Sequence, residues 1–400
     1  MKSTVDGDRG MDSEEDMSLS DCREKIDALD DELLELFMQR MSTVGEVAKY
    51  KKAHNKAVFN KSREREILSK VSNRCSQTNP ELVSYSRALF SNLFELSRSY
   101  QKSLLATPTP LTQKIEEALE VPRGEFPGSG IVACQGIEGA HSQIACDKMF
   151  RFANIVYFET FDSVFQAVEQ GLCEFGILPI ENSSYGSVND VYDLMKDYNF
   201  HVVRSVKLKV NHALLAPVGT KLEDIREIYS HEQALGQCAA FLKEHSNIKI
   251  QRCENTATAA RDVAHMNRSD VAAISSRQCA ELYGLNVLLE GAHIQSSEQN
   301  CTRFICISKD LRVYPGANRM SVMLQVPHEP GSLYATMSKF AALGLNLTKL
   351  ESRPIIGRDF EFMFYFDFDA SLKSSEVIKL LEELSAGPEL FVFLGNYSEV

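Results

Sequence analysis

Apolar spacing along the chain changes twice. From Asp21 to about Lys52, Ile26, Leu29, Leu33, Leu36, Phe37, Val44 and Val47 fall on one stripe at about 100° per residue. This predicts a single long helix, opened by an Asp21-x-x-Glu24 capping box and followed by two shorter helical patterns over 62–73 and 80–104. From Ile131 short apolar runs at 131–134, 155–158, 175–179 and 225–229 alternate with helical segments from His141, over 161–170 and over 188–196, the pattern of a doubly wound α/β fold. Beyond a connector at 311–318 the order becomes strand 320–326, helix 332–342, strands 345–350 and 360–368, helix 374–384 and strand 390–397, a βαββαβ unit. Its run Phe362-Met363-Phe364-Tyr365-Phe366 needs cover on both faces or a partner sheet.

On the first helix Arg40 and Lys51 fall near the middle of the apolar stripe and Arg23 at its edge. About 30 residues make a rod of roughly 45 Å, too long for the next two helices to cover, which implies a partner chain. A cation on a buried stripe is costly unless an anion meets it. An internal salt bridge would satisfy one such residue, but two, with Arg63, Glu64 and Gln101 on the neighbouring helices, suit a small dianion. Residues 19–105 resemble the all-helical chorismate mutase domain, an intertwined three-helix dimer. The resemblance implies that Arg40 and Arg63 hold carboxylates, Arg23 reaches across from the other protomer, and Lys51 and Gln101 donate to the ether oxygen. Glu64 accepts from the ring hydroxyl and Ser97 contacts substrate. Asn60 stands where that family usually has aspartate.

Residues 106–129, with Thr107-Pro108-Thr109-Pro110 and Pro127-Gly128-Ser129-Gly130 around one short helical pattern, read as a linker of mixed stiffness. The string Gly128-Ser129-Gly130 imitates a dinucleotide fingerprint but precedes its strand instead of following it. In the α/β region four polar stretches lie at strand ends: Gly136 to Ser142, Pro179 to Ser187, Ser230-His231-Glu232-Gln233, and Asn300-Cys301-Thr302-Arg303-Phe304. Convergence on one cleft explains them better than four separate turns. The first suits backbone amides meeting a carboxylate at a helix end.

With Thr256-Ala257-Thr258-Ala259-Ala260 and Leu282-Tyr283-Gly284-Leu285, these motifs resemble prephenate dehydratase over 130–310, a two-lobed α/β fold like type II periplasmic binding proteins. The resemblance implies that Thr302 donates to the leaving hydroxyl and Arg303 holds the side-chain carboxylate. Glu181, Asn182, Ser183, His231 and Gln233 bind or orient substrate, and His141 replaces a common tyrosine. Residues 318–400 resemble a ferredoxin-like ACT regulatory domain. Gly331, Ser332 and Leu333, together with Glu351-Ser352-Arg353-Pro354, are then the L-phenylalanine site, and Tyr334 is bulkier than usual there.

A net charge of −12 opposes nucleic-acid or anionic-membrane partners, so an anionic ligand needs local cations. Ten cysteines without a C-x-x-C pair read as reduced thiols, and nine histidines show no metal spacing. No metal or cofactor is expected. The acidic stretch 1–18 reads as a disordered tail without a signal-peptide core, and the protein is expected to be soluble and cytoplasmic. The order mutase, dehydratase, ACT domain is the layout of the bifunctional P-protein family, which implies chorismate and prephenate as substrates and a homodimer or larger assembly. A two-lobed amino-acid-sensing binding protein and an arogenate dehydratase are the competing readings.

Overall fold

Ser18 opens the first helix. Its hydroxyl accepts the Asp21 amide at 3.2 Å and the Asp21 carboxylate accepts the Ser18 amide at 3.1 Å, so the capping box lies three residues before the expected Asp21-x-x-Glu24. The computed structural model describes residues 18–105, 109–121, 123–296, 299–355, 361–387 and 390–400. The expected tail, except Ser18, and residues 106–108 and 122 of the expected linker lie outside these. Two compact units divide at Thr107 and Pro108.

The first unit comprises α1 (Leu19–Ala53), α2 (Lys61–Thr78) and α3 (Val83–Leu105). Asn60, the departure noted above, caps α2 by accepting the Arg63 amide at 3.1 Å. At 1.5 Å per residue α1 is about 52 Å long. Gly45 and Ala48 near its C-terminal end are buried, whereas Ile26, Leu29, Leu33 and Leu36 are 55–61% exposed within this unit.

The second unit begins with α4 (Pro110–Glu120) and continues with β1 (Ser129–Gln135), α5 (His141–Met149), β2 (Phe152–Phe158), α6 (Phe161–Glu169), β3 (Phe175–Asn182), β4 (Gly186–Ser187), α7 (Asn189–Met195) and β5 (His201–Lys209). A second lobe follows: β6 (His212–Ala216), β7 (Glu227–Ser230), α8 (Glu232–Gln237), α9 (Ala239–Glu244), β8 (Lys249–Arg252), α10 (Thr256–His265), β9 (Val271–Ser276), α11 (Gln278–Tyr283) and β10 (Asn286–Glu290). The chain then returns to the first lobe as β11 (Cys301–Ser308). β11 lies between β3 and β5, antiparallel to both, so the first-lobe sheet is mixed and not all-parallel. The second lobe has its own sheet, in the order β10-β6-β9-β7-β8.

The C-terminal part is the expected βαββαβ unit: β12 (Arg319–Gln325), α12 (Ser332–Ala342), β13 (Leu347–Pro354), β14 (Phe362–Asp369), α13 (Ser375–Ser385) and β15 (Phe391–Glu399). Its strands order as β13-β14-β12-β15, and the end of β15 pairs parallel with β5, joining the C-terminal sheet to that of the first lobe. Strand alternation covers both faces of β14. Phe364, Phe366 and Phe368 pack with Phe340 of α12 and Leu380 of α13. Met363 and Tyr365 enter the first-lobe core, where the Tyr365 hydroxyl donates to the Tyr192 carbonyl at 2.7 Å.

The expected linker is corrected by α4. Its Leu111, Ile115 and Ala118 recur at helical spacing, and Ile115 is 1% exposed inside the C-terminal core. The Thr112 hydroxyl donates to Glu382 of α13 at 3.0 Å. Ile115→Ala is therefore expected to lower unfolding free energy by about 2–5 kcal/mol, read from urea denaturation; a flexible tether would leave the midpoint in place.

Candidate functional site

In the helical unit, α1 and α3 bring Arg40, Ser97 and Gln101 together. Arg40 donates to the Ser97 hydroxyl at 2.5 Å and to the Leu93 carbonyl at 3.3 Å, which aims its guanidinium along α3. One turn on, buried Gln101 donates to the Ser97 carbonyl at 3.2 Å and leaves its own carbonyl without a partner. Lys51 donates to the Val58 carbonyl at 2.5 Å; burial pulls its ammonium below the ordinary range, against the opposing charge of Glu64. Arg40, Ser97 and Gln101 thus form one group and Lys51 with Glu64 another within one protomer.

The remaining two do not join them. Arg63 is exposed and pairs with Glu66 at 2.7 Å. Arg23 lies 17 residues from Arg40 on the same helix, about 25 Å away. A residue not singled out from the sequence, Arg98, pairs with Glu64 and Glu95 and covers the Phe59 ring at 5.1 Å. Burial lowers its pKa, but the two carboxylates more than offset this and hold it above the ordinary range.

In the second unit the strand-end loops do converge. A cavity of about 380 Å³ is lined by His141 and Ser142 of α5, Asn182, His231 and Gln233 of α8's start, Asn255 and Thr256 of α10's start, Thr302 and Phe304. Asn182 donates to the Thr302 hydroxyl oxygen at 2.9 Å, which leaves the hydroxyl proton free to point elsewhere. His231 and Asn255 cap their helices by accepting the Gln233 and Thr258 amides at 3.4 and 2.7 Å. The N-cap of α5 is Ala140, which has no side chain to give, so that helix presents its first amides uncapped beside the cavity.

Arg303 and Glu181 are corrected by the same strand geometry that places Thr302. Neighbours on a strand point to opposite faces, and Arg303, 5% exposed, points away from the cavity into the C-terminal βαββαβ unit. Its guanidinium donates to Asp367 at 2.8 Å and to the Tyr397 hydroxyl at 3.2 Å, and its Nε lies 3.2 Å from Glu399. Burial lowers its pKa, but Asp367, Tyr397 and Glu399 hold it above the ordinary range. Glu181, opposite Arg303 in the ladder, pairs with Lys349 at 3.2 Å. Ser183 is likewise not in the cavity lining: its hydroxyl accepts the Cys301 amide at 2.9 Å and donates to the Gln299 carbonyl at 2.8 Å, bracing the loop. No lysine or arginine is among the described residues lining the cavity, while Asp190 and Glu254 are.

A family model for prephenate dehydratase matches residues 132–312, and one for chorismate mutase type II matches residues 22–102. The bifunctional chorismate mutase/prephenate dehydratase of Escherichia coli (strain K12) is 32% identical over 392 residues, covering 94% of this chain and 95% of that protein. The chain belongs to the bifunctional chorismate mutase/prephenate dehydratase family. Arogenate dehydratase/prephenate dehydratase 2 of Arabidopsis thaliana, a chloroplastic protein, is 35% identical over 313 residues, 75% of this chain and 81% of that one. Among solved structures, prephenate dehydratase from Arthrobacter aurescens in complex with L-Phe has a TM-score of 0.61 at 28% identity, over 67% of this chain and 89% of that one.

Behind the dehydratase cleft the C-terminal motifs separate by strand face. Ser332 and Leu333 line a second cavity of about 360 Å³ together with Phe362 and Phe364. Gly331, at φ 89°, opens α12 beside it. Ser352 and Pro354 lie opposite Phe364 and Phe362 in the ladder, so they share that side of the sheet. Glu351 and Arg353 alternate to the other side and are corrected: Glu351 accepts the Ser187 hydroxyl at 2.5 Å, and Arg353 grips Asp193 at 2.7 and 3.0 Å. Among the described residues no helix is long and apolar enough to cross a membrane.

Three imidazoles, His212 buried and His141 and His201 half-buried, are expected to make the second unit acid-sensitive. Burial and then neighbouring His212 hold His141 down to about 4; burial and then Lys114 hold His201 down to about 4; burial also lowers His212, against its hydrogen bond to Gln237. Unfolded imidazoles near 6.5 bind protons that the folded ones refuse, so stability is full above that pH and drains as pH falls toward 4. Urea midpoints are expected to drop between pH 7 and 5, each imidazole adding up to about 1.4 kcal/mol per pH unit. His201→Gln should flatten the fall, and an unchanged slope would count against it.

Proposed function

We propose that the helical unit rearranges chorismate to prephenate and that the cleft converts prephenate to phenylpyruvate, carbon dioxide and water. The observation carrying the second step is the Thr302 hydroxyl, whose oxygen is engaged by Asn182 inside a cavity of substrate size. In the elimination the bond from the ring to its carboxylate breaks, the electron pair enters the ring, and the ring C–O bond breaks on the far side. The departing hydroxide takes a proton from solvent and leaves as water, while carbon dioxide leaves uncharged. Threonine is too weak an acid to ionise fully, so its part is a hydrogen bond that tightens as charge builds on the leaving oxygen. The uncapped start of α5 supplies donors for the carboxylate that stays.

The mutase step needs no nucleophile. A compact conformer is clamped, and cations meet the oxygens where charge develops. Arg40, Lys51 and Gln101 stand ready in one protomer, with Ser97 and Glu64 beside them. Arg23 lies with the exposed stripe of Ile26, Leu29 and Leu33, which a second copy would cover, so we assign a homodimer in which Arg23 completes the partner's site. Ten free thiols suit a cytoplasmic protein.

The C-terminal unit we read as an ACT domain that binds L-phenylalanine in the cavity at Ser332, Leu333, Phe362 and Phe364 and inhibits the dehydratase. Arg303, adjoining Thr302 and held by Asp367 and Glu399, is the route of coupling. A second reading, turnover of arogenate, is favoured by Asp190 and Glu254 in the cleft, which suit an ammonium group.

Chorismate, prephenate and arogenate offered separately test these assignments. Lys51→Ala is expected to lose at least about 100-fold in mutase turnover with the dehydratase intact, and Thr302→Ala about 100- to 10,000-fold in dehydratase turnover with the mutase intact. Normal phenylpyruvate formation by Thr302→Ala would overturn the assignment of that residue. Asp367→Asn should still bind L-phenylalanine by calorimetry while its inhibition midpoint rises about fivefold or more; an unmoved midpoint would exclude the Arg303 route.

A further inference from the structure

The hydrogen bonds at Thr302 extend from the first lobe into the second, and their donors and acceptors can be assigned. The Asn182 side-chain oxygen accepts the amides of Ser184 and Tyr185 at 2.9 and 3.1 Å. Backbone amides only donate, so the Asn182 NH2 must be the group that meets the Asn300 oxygen and the Thr302 hydroxyl, both at 2.9 Å. Asn300 is thereby oriented too: its NH2 donates to the Gln237 carbonyl at 2.8 Å. The same carbonyl lies 2.6 Å from Nε2 of His212, which must then carry the proton, and Nδ1 of His212 is left bare and buried. A chain of fixed polarity runs from His212 and Gln237, on the second lobe, through Asn300 to Asn182 and Thr302 on the first.

Asn300 is 1% exposed and sits where the backbone returns from the second lobe, two residues before Thr302. Its carbonyl also accepts the Val210 amide at 2.8 Å, on the outgoing crossover, so both connections between the lobes meet at this residue. Losing its side chain would leave the Asn182 NH2 with Thr302 as its one remaining partner of the two, and Gln237 with His212. The lobes would still be joined by backbone, but the Thr302 hydroxyl would no longer be oriented by both.

We propose that Asn300 is a positioning residue of the dehydratase, tying the orientation of the Thr302 hydroxyl to the second lobe through Asn182 on one side and Gln237 and His212 on the other. The proposal rests on the dehydratase reading of the cleft. It concerns the chemical step, because the leaving hydroxyl meets a correctly aimed donor only as the ring C–O bond breaks. It also explains why so polar a side chain is buried at a crossover: each of its hydrogen-bonding groups has a partner in a different lobe.

Asn300→Asp keeps the size and the acceptor but turns a second oxygen toward the Gln237 carbonyl. The expected result is a 10- to 100-fold fall in dehydratase kcat with KM within about twofold and mutase turnover unchanged. Asn300→Ser, smaller and uncharged, should fall in the same direction and covers the case in which the carboxylate prevents folding. His212→Leu removes the far donor and should also lower kcat, and His212→Gln, which retains a side-chain N–H, should recover most of that loss. Because both residues act through one chain, Asn300→Ser combined with His212→Leu should lose less than the product of the two single losses. Wild-type kcat in Asn300→Ser, losses that multiply, or a fall carried by KM alone would overturn the proposal. Wild-type protein that releases no phenylpyruvate from prephenate would instead defeat the dehydratase reading itself, so the two failures are separable.

Discussion

The alternation of side chains along one strand governs how the second unit works. On β11, Thr302 and Phe304 face the cleft, whereas Arg303, Ile305 and Ile307 face the C-terminal unit and the core beneath it. A one-residue slip of that strand would exchange the two sets and carry a guanidinium into the cleft. The slip is resisted on both edges, because β11 is paired with β3 and β5, and the residues on its inner face are buried. Which side chains reach the cleft and which anchor the C-terminal unit are therefore set by one register.

The buried charge at Arg303 shows what this arrangement costs and supplies. An arginine withdrawn from water is tolerated only where carboxylates and further donors surround it. Asp367 is itself held by the Ser321 hydroxyl at 2.5 Å, and Glu399 also meets Arg319 and Lys207, each at 3.2 Å. Removing one carboxylate would leave charge uncompensated, a loss of about 3–5 kcal/mol for a fully buried pair. The residues Glu181 and Glu351 contribute to the same seam through Lys349 and Ser187.

Much of this was legible in the sequence, and each miss has a physical cause. The long first helix, the switch to α/β spacing and the final βαββαβ order all follow from periodicity, as does the convergence of loops that contain Thr302, Asn182, His231 and Gln233. Arg303, Glu181, Glu351 and Arg353 were misplaced because motif adjacency says that residues are near one another, not which face of a strand each takes. Thr302 and Arg303 are adjacent in sequence and so must diverge. Ser183 was misassigned because a loop hydroxyl can serve its own backbone as readily as a substrate. The helix α4 was read as part of a linker because its prolines were weighed over its apolar spacing, although proline at a helix's first position is compatible with starting it. Asn300 stood in the sequence only as one residue of a polar stretch at a strand end; its side-chain partners lie 63 and 118 residues away.

The two candidate sites differ in charge, and the proposed reactions bear on why. Rearrangement of chorismate leaves both carboxylates intact, so a cation such as Arg40 would hold one throughout without penalty to the reaction. The dehydratase step destroys one carboxylate as it departs as carbon dioxide. A fixed cation against that group would stabilise the charged ground state more than a transition state in which the charge is leaving, and would slow the step. The described lining holds amides, hydroxyls, imidazoles and the carboxylates of Asp190 and Glu254 but no lysine or arginine, so it sets no fixed cation against a departing carboxylate. Arg303, expected at the carboxylate that stays, is turned to the other side of the sheet by the alternation that exposes Thr302, so no arginine in the described lining meets that group.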